Sequence, residues 1–280
     1  MPSAKPLGLL LGAAPLAVVG TLFGSPWATG AGGIVVLGGL ALHPAVTDPA
    51  VSRSTRLLLR GCLLLLALAG IVTLWGWVAS PFDGTPADDG LTALVIDPGW
   101  RRTQFLRQLA VAGCLFLACV CLGVAIGRLP REGLRRFGRA APTVGVCTLV
   151  AVMFIALLPT ELTAMLGSVT STVVAAGILL GGCAWVVRRA ARRHGTAAPI
   201  AVVGATVLAV PAWLVIDHVL RSWPERRDND DRYVTTFVVS GVVDAGADID
   251  TAMAVAALLL GSALTVLACV RLGTADRETS

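Results

Sequence analysis

Eight separate apolar stretches, several of them about the 20 residues that a helix needs to cross a bilayer, constrain this chain most. Only closed arrangements of backbone hydrogen bonds are stable in lipid, so apolar runs of this length predict helices. The fold class is therefore an all-α, polytopic membrane helix bundle. The predicted spans are 7–23, 31–46, 57–79, 105–127, 143–158, 168–187, 197–220 and 251–270.

Basic residues alternate between the loops that connect these spans. Lys and Arg favour the cytoplasmic side of membrane proteins, and with eight spans almost every basic cluster falls on one side. The opposite loops carry most of the acidic residues, which predicts that both termini are cytoplasmic. The residues on the predicted inner side are Lys5, Arg53, Arg56, Arg60, Arg128, Arg131, Arg135, Arg136, Arg139, Arg188, Arg189, Arg192, Arg193, Arg271 and Arg277.

The composition supports a single membrane domain over residues 1–280. Hydrophobic residues make up 56% of the chain and charged residues 14%, which is too little charge for a soluble surface. The net charge of +5 does not indicate nucleic-acid binding, because the positive residues lie where membrane topology requires them. Lys5 is the only lysine, a bias typical of a prokaryotic genome rich in G and C, so we expect a plasma-membrane location.

Few polar residues lie in or beside the spans, and each is a functional candidate because polar groups are costly in lipid. Asp217 and His218 lie near the outer end of span seven, and Glu161 and Met165 follow span five. Carboxylate and imidazole groups suit divalent ions and a thioether suits Cu(I), so these four residues form a candidate outward-facing metal site. The alternative interpretation is that they simply lie at the water interface.

The seven cysteines all lie within predicted spans, six of them toward the cytoplasmic side. Disulfides belong to oxidising compartments, so we expect none. These thiols could receive Cu(I) on the reducing side. They could equally serve as small apolar core residues.

Glycines at spacings of four occur in spans two and six, where they favour close helix packing. They include Gly32, Gly33, Gly38 and Gly39, and Gly177, Gly181 and Gly182. The chain has no phosphate-binding loop with lysine and neither an HExxH nor a CxxC motif, so the sequence does not indicate an enzyme.

Residues 33–160 resemble the copper resistance D family of membrane proteins. The similarity lies in residues 33–42, which end in Gly-Gly-Leu-Ala-Leu, and in the helix entries at 53–61 and 99–109. Residues 134–140 and the Ala-Leu-Leu-Pro exit at 156–159 add to it. The resemblance implies copper as cargo, moved across the inner membrane, and a secreted metal-binding protein as partner.

Three functions are consistent with this sequence. The first is transport or handling of a small cation, with copper suggested by the resemblance. The second is a non-catalytic anchor or scaffold subunit in contact with other membrane subunits, which the sparse polar residues favour. The third is the permease subunit of an ABC-type transporter. In all three the lipid bilayer is the immediate partner.

Overall fold

The computed structural model describes residues 13–20, 25–43, 46, 51–78, 98–157, 169–228 and 249–274, and these are almost entirely helical. The predicted all-helical class is confirmed. The helices are α1 (13–20), α2 (Pro26–Ala41), α3 (Arg53–Val78), α4 (Pro98–Gly127), α5 (Arg131–Leu157), α6 (Val169–His194), α7 (Ala197–Asp228) and α8 (Ile249–Thr274).

Six of these helices are long and apolar enough to cross a membrane. Their apolar windows are 18 to 24 residues long, with mean hydropathy between 1.4 and 2.7. The windows are Arg53–Trp75, Phe105–Gly127, Arg131–Phe154, Val174–His194, Ala197–Asp217 and Val255–Leu272. Spans three to eight of the sequence prediction each overlap with one of them. For spans one and two the structure describes shorter helices, so the count of eight remains a prediction.

Helices α1 and α2 form a tight hairpin. The Ser25 backbone N–H donates to the Gly20 carbonyl at 2.7 Å, and the Ser25 side chain accepts the Ala28 N–H at 3.4 Å. Ser25 therefore caps α2, and Pro26 follows at a first-turn position that needs no N–H donor. A Cβ added to Gly32 would lie 2.7 Å from the Ala17 nitrogen, so the two backbones are in close contact.

Helix α5 differs from the sequence prediction, because it runs without interruption through the segment assigned to an inner loop. The predicted span begins at residue 143, whereas the helix begins at Arg131 and contains Pro142. Proline removes one backbone donor and its ring approaches the carbonyl four residues earlier. That residue is Gly138, an exposed position where an added Cβ would meet nothing within 4 Å. Pro142 therefore supplies no N–H donor to the Gly138 carbonyl, which lies at an exposed position of the helix.

Helices α7 and α8 form the centre of the bundle and make its most extensive helix–helix contact, followed by α3 with α4. One apolar core joins α1, α2, α3 and α4 to α7 and α8, and includes Leu59, Leu63 and Leu208. A second core joins α5 and the end of α6 to the first half of α7, and includes Val144 and Val202. Residues of α8 contribute to both.

Helix α6 lies at the edge of the described bundle. Only 6% of its apolar window is buried, against 50% for α8 and 44% for α7. Its main contacts are with α5, including Thr148 Oγ1 at 3.9 Å from Cys183 Sγ. Most of α6 therefore faces away from the rest of the described chain.

Candidate functional site

The four residues of the predicted outer metal site are described only in part. Asp217 is half-buried, ends the apolar window of α7 and has an interaction partner. His218 is the next residue of the same helix, and its side chain lies outside the described residues, as do Glu161 and Met165. The proposed grouping of the four therefore stays a prediction.

Two spanning helices of the described chain are in close contact where Gly204 of α7 meets Gly261 of α8. A Cβ added to Gly204 would lie 2.5 Å from Thr265 Oγ1 and 2.6 Å from the Thr265 nitrogen. A Cβ added to Gly261 would lie 2.7 Å from the Leu208 nitrogen. Two of these three contacts are with backbone nitrogens, so only glycine allows the two helices to cross this closely.

Buried hydroxyl groups at this crossing bind the backbone of their own helix. The Thr265 hydroxyl donates to the Gly261 carbonyl at 2.7 Å, and the Ser262 hydroxyl donates to the Leu259 carbonyl at 2.8 Å. Away from this crossing, Thr55 is buried at the start of α3, and its hydroxyl accepts a hydrogen bond from the Ser52 hydroxyl at 2.8 Å. These polar groups are satisfied structurally, which is the requirement for polar atoms in an apolar core.

The sequence-predicted glycine spacings have mixed outcomes. Gly32 packs against α1, as expected, whereas a Cβ added to Gly33 or Gly38 would meet nothing within 4 Å. The same holds for Gly177, Gly181 and Gly182 of α6. The prediction that these spacings drive packing is therefore wrong for α6 within the described chain. Gly204 and Gly261 bring two spanning helices together, although neither has a glycine four residues away. Gly261 does have other small residues at that spacing, Ala257 and Thr265.

All seven cysteines are free thiols, as the sequence predicts. Cys62 of α3 lies near three other cysteines, which are Cys119 and Cys121 of α4 and Cys269 of α8. Cys62 and Cys269 are buried in the apolar core, where cysteine packs as a small apolar residue. Among the residues that the structure describes, no three His, Cys, Asp or Glu side chains are grouped closely enough to hold a metal ion.

A basic surface occupies the C-terminal end of α6. The Arg189 guanidinium lies over the Trp185 ring at 5.2 Å from its centroid, a cation–π contact. Together with Arg188, Arg192 and Arg193, these residues line an open pocket of about 400 Å³. In the sequence these arginines indicate only the cytoplasmic side of the membrane. The tryptophan one turn before them is the signal that could have identified a pocket.

Comparisons with protein-family models, with curated proteins and with solved structures find no match to this chain.

Proposed function

We propose that this chain is a multi-pass plasma-membrane protein that anchors or scaffolds a larger membrane complex. The observation that carries the proposal is the α7–α8 crossing, where backbones meet at Gly204 and Gly261 and the nearby hydroxyls bond within their own helix. A helix crossing packed in this way is suited to holding the two helices in fixed positions. The outward side chains, including Trp213 and Phe116, are then available to lipid or to another subunit.

The proposal includes a cytoplasmic location for both termini. The arginine alternation supports it, since the described basic clusters at Arg128–Arg139 and Arg188–Arg193 lie at helix ends on the same predicted side. The α1–α2 hairpin does not alter this assignment. Two helices return the chain to the side where it began, whether or not each of them crosses the full bilayer.

Photo-crosslinking in the native membrane tests the scaffold proposal. A photoreactive amino acid replaces Leu64, Phe116, Trp213 or Leu260, which are 62%, 57%, 62% and 56% exposed on four different helices. Substitution of Leu63, which is 1% exposed and adjacent to Leu64, is the control. We expect a product with another polypeptide, of constant mass, from at least one outward position and none from the control. Absence of any such product from all four positions contradicts the proposal.

The second candidate function is handling of a small cation at the outer ends of α5 and α7. It is favoured by the half-buried Asp217, a carboxylate at the end of an apolar spanning window. The resemblance to the copper resistance D family suggests copper as the cargo. In this proposal His218, Glu161 and Met165 complete the site, and a secreted metal-binding protein would exchange copper with it.

Copper binding and growth under copper stress test the second candidate. The variants are His218→Ala, Glu161→Ala and Met165→Leu, with His194→Ala at the opposite end of the membrane as the matched control. We expect the three site variants to bind less copper and to differ from the wild type in copper tolerance. His194→Ala should match the wild type in both measurements. Wild-type behaviour in all three, at normal protein levels, would eliminate the outer site and leave the scaffold.

A further inference from the structure

The basic end of α6 is a single surface on one side of the helix. With 3.6 residues per turn, Trp185, Arg188, Arg189, Arg192 and Arg193 fall within an arc of about 140°. They line one open pocket, in which the Arg189 guanidinium lies over the Trp185 ring at 5.2 Å from its centroid. Four positive charges thus converge on a space of about 400 Å³.

The positive charge of this surface is not offset by neighbouring carboxylates in the described chain. The main helix packed against α6 is α5, whose acidic residue Glu132 already pairs with Arg136 at 3.0 Å. Asp217 of α7 lies at the opposite end of that helix. Arginines four residues apart on a helix repel each other, so an anion bound between them would relieve that repulsion.

The position of the surface along α6 indicates where the anion comes from. Trp185 is 59% exposed, and the apolar face that leads to it includes Ile178, which is 72% exposed. Gly181 and Gly182 lie between these two residues and are open to their surroundings. A ligand in the pocket would therefore lie next to an open apolar groove on the part of α6 that is within the membrane. Tryptophan is typical of the level of the lipid headgroups.

We propose that the end of α6 binds the headgroup of an anionic phospholipid. The phosphate lies among Arg188, Arg189 and Arg192, whose planar guanidinium groups suit bidentate phosphate binding. One acyl chain lies along the open face at Gly181 and Ile178. On the predicted topology this lipid belongs to the cytoplasmic leaflet, which carries the anionic lipids that attract basic juxtamembrane segments.

Native mass spectrometry of the full-length protein with added phosphatidylglycerol or phosphatidylcholine tests the proposal. The site variant is Arg189→Gln with Arg192→Gln. The matched control is Arg135→Gln with Arg139→Gln, which removes the same charge from the same predicted side of α5. Both control arginines are exposed, and neither lines the pocket. We expect phosphatidylglycerol binding to weaken about thirtyfold in the site variant, from the typical contribution of two basic residues near an anionic surface.

Each arm of the experiment separates one explanation from the others. The proposal predicts a preference for phosphatidylglycerol over phosphatidylcholine and less than a threefold change in the control variant. Equal loss in the two double variants would show a general charge effect and overturn the site. Displacement of the lipid by millimolar inorganic phosphate would show that the pocket takes a free anion, which also overturns the proposal. Equal binding of phosphatidylglycerol and phosphatidylcholine would also overturn the proposal.

Discussion

Substitution of Gly204 by alanine perturbs the α7–α8 crossing, where Gly204 is in close contact with Gly261 and Thr265. The added Cβ would lie 2.6 Å from the Thr265 nitrogen and 2.9 Å from the Gly261 carbonyl oxygen. Ordinary van der Waals contact begins at 3.4 Å. Because both contacted atoms belong to the backbone, the helices must separate by about 0.8 Å, a distance that no side-chain rotation can supply.

The expected cost follows from this separation. Overpacking a well-packed interior destabilises a protein by about 1–3 kcal/mol. Alanine has the higher helix propensity, by up to about 1 kcal/mol, and this partly offsets the cost. Gly113→Ala in α4 is the matched control, since an added Cβ there meets nothing within 4 Å. The propensity gain is the same in both variants, so their difference isolates the steric effect.

Thermal unfolding of the purified protein in one detergent measures this difference. A loss of about 2 kcal/mol corresponds to a melting temperature roughly 5 °C lower for a chain of this size. We expect Gly204→Ala to melt about that far below Gly113→Ala, and Gly113→Ala to melt at or above the wild type. Equal melting temperatures for the two variants would refute the close crossing of α7 and α8.

Three further predictions concern the core, the hairpin and the thiols. Leu63→Ala should destabilise the protein by about 2–4 kcal/mol in chemical unfolding, whereas Leu64→Ala, at an exposed position, should be close to neutral. Gly32→Ala should lower the melting temperature, because its Cβ would lie 2.8 Å from the Ala13 carbonyl oxygen; no change would contradict the hairpin contact. All seven cysteines should be alkylated under denaturing, non-reducing conditions, and mass spectrometry should detect no native disulfide.

Hydropathy in the sequence is sufficient to predict the spanning helices, because lipid requires long apolar segments with internally bonded backbones. It does not predict where the helices end outside the lipid. Helix α6 continues to His194 and α7 to Asp228, beyond the predicted ends at 187 and 220. In α6 the added residues are mostly arginine and alanine, which are good helix formers. Pro142 suggested a boundary, yet α5 continues through it from Arg131 to Leu157.

Helix packing is less accessible from the sequence. Glycines spaced four residues apart indicate a helix surface that another helix can approach closely, but they do not indicate which neighbouring helix faces that surface. Gly181 therefore points away from the described chain, whereas the isolated Gly204 carries a close crossing. Cys62 and Cys269 are far apart in sequence, and only the fold brings them near each other. The outer site at Asp217 and His218 remains a prediction from position in the span alone.

Labelling of the loops from outside the cell tests the predicted topology of the membrane helices. Single cysteines are introduced into a cysteine-free protein at Thr196, which is exposed between α6 and α7, and at Asp88 and Asn229 in the predicted outer loops. A membrane-impermeant maleimide is added to intact cells. With both termini in the cytoplasm, we expect labelling at Asp88→Cys and Asn229→Cys in intact cells. We expect labelling of Thr196→Cys only after the membrane is opened. Labelling of Thr196→Cys in intact cells would contradict this topology.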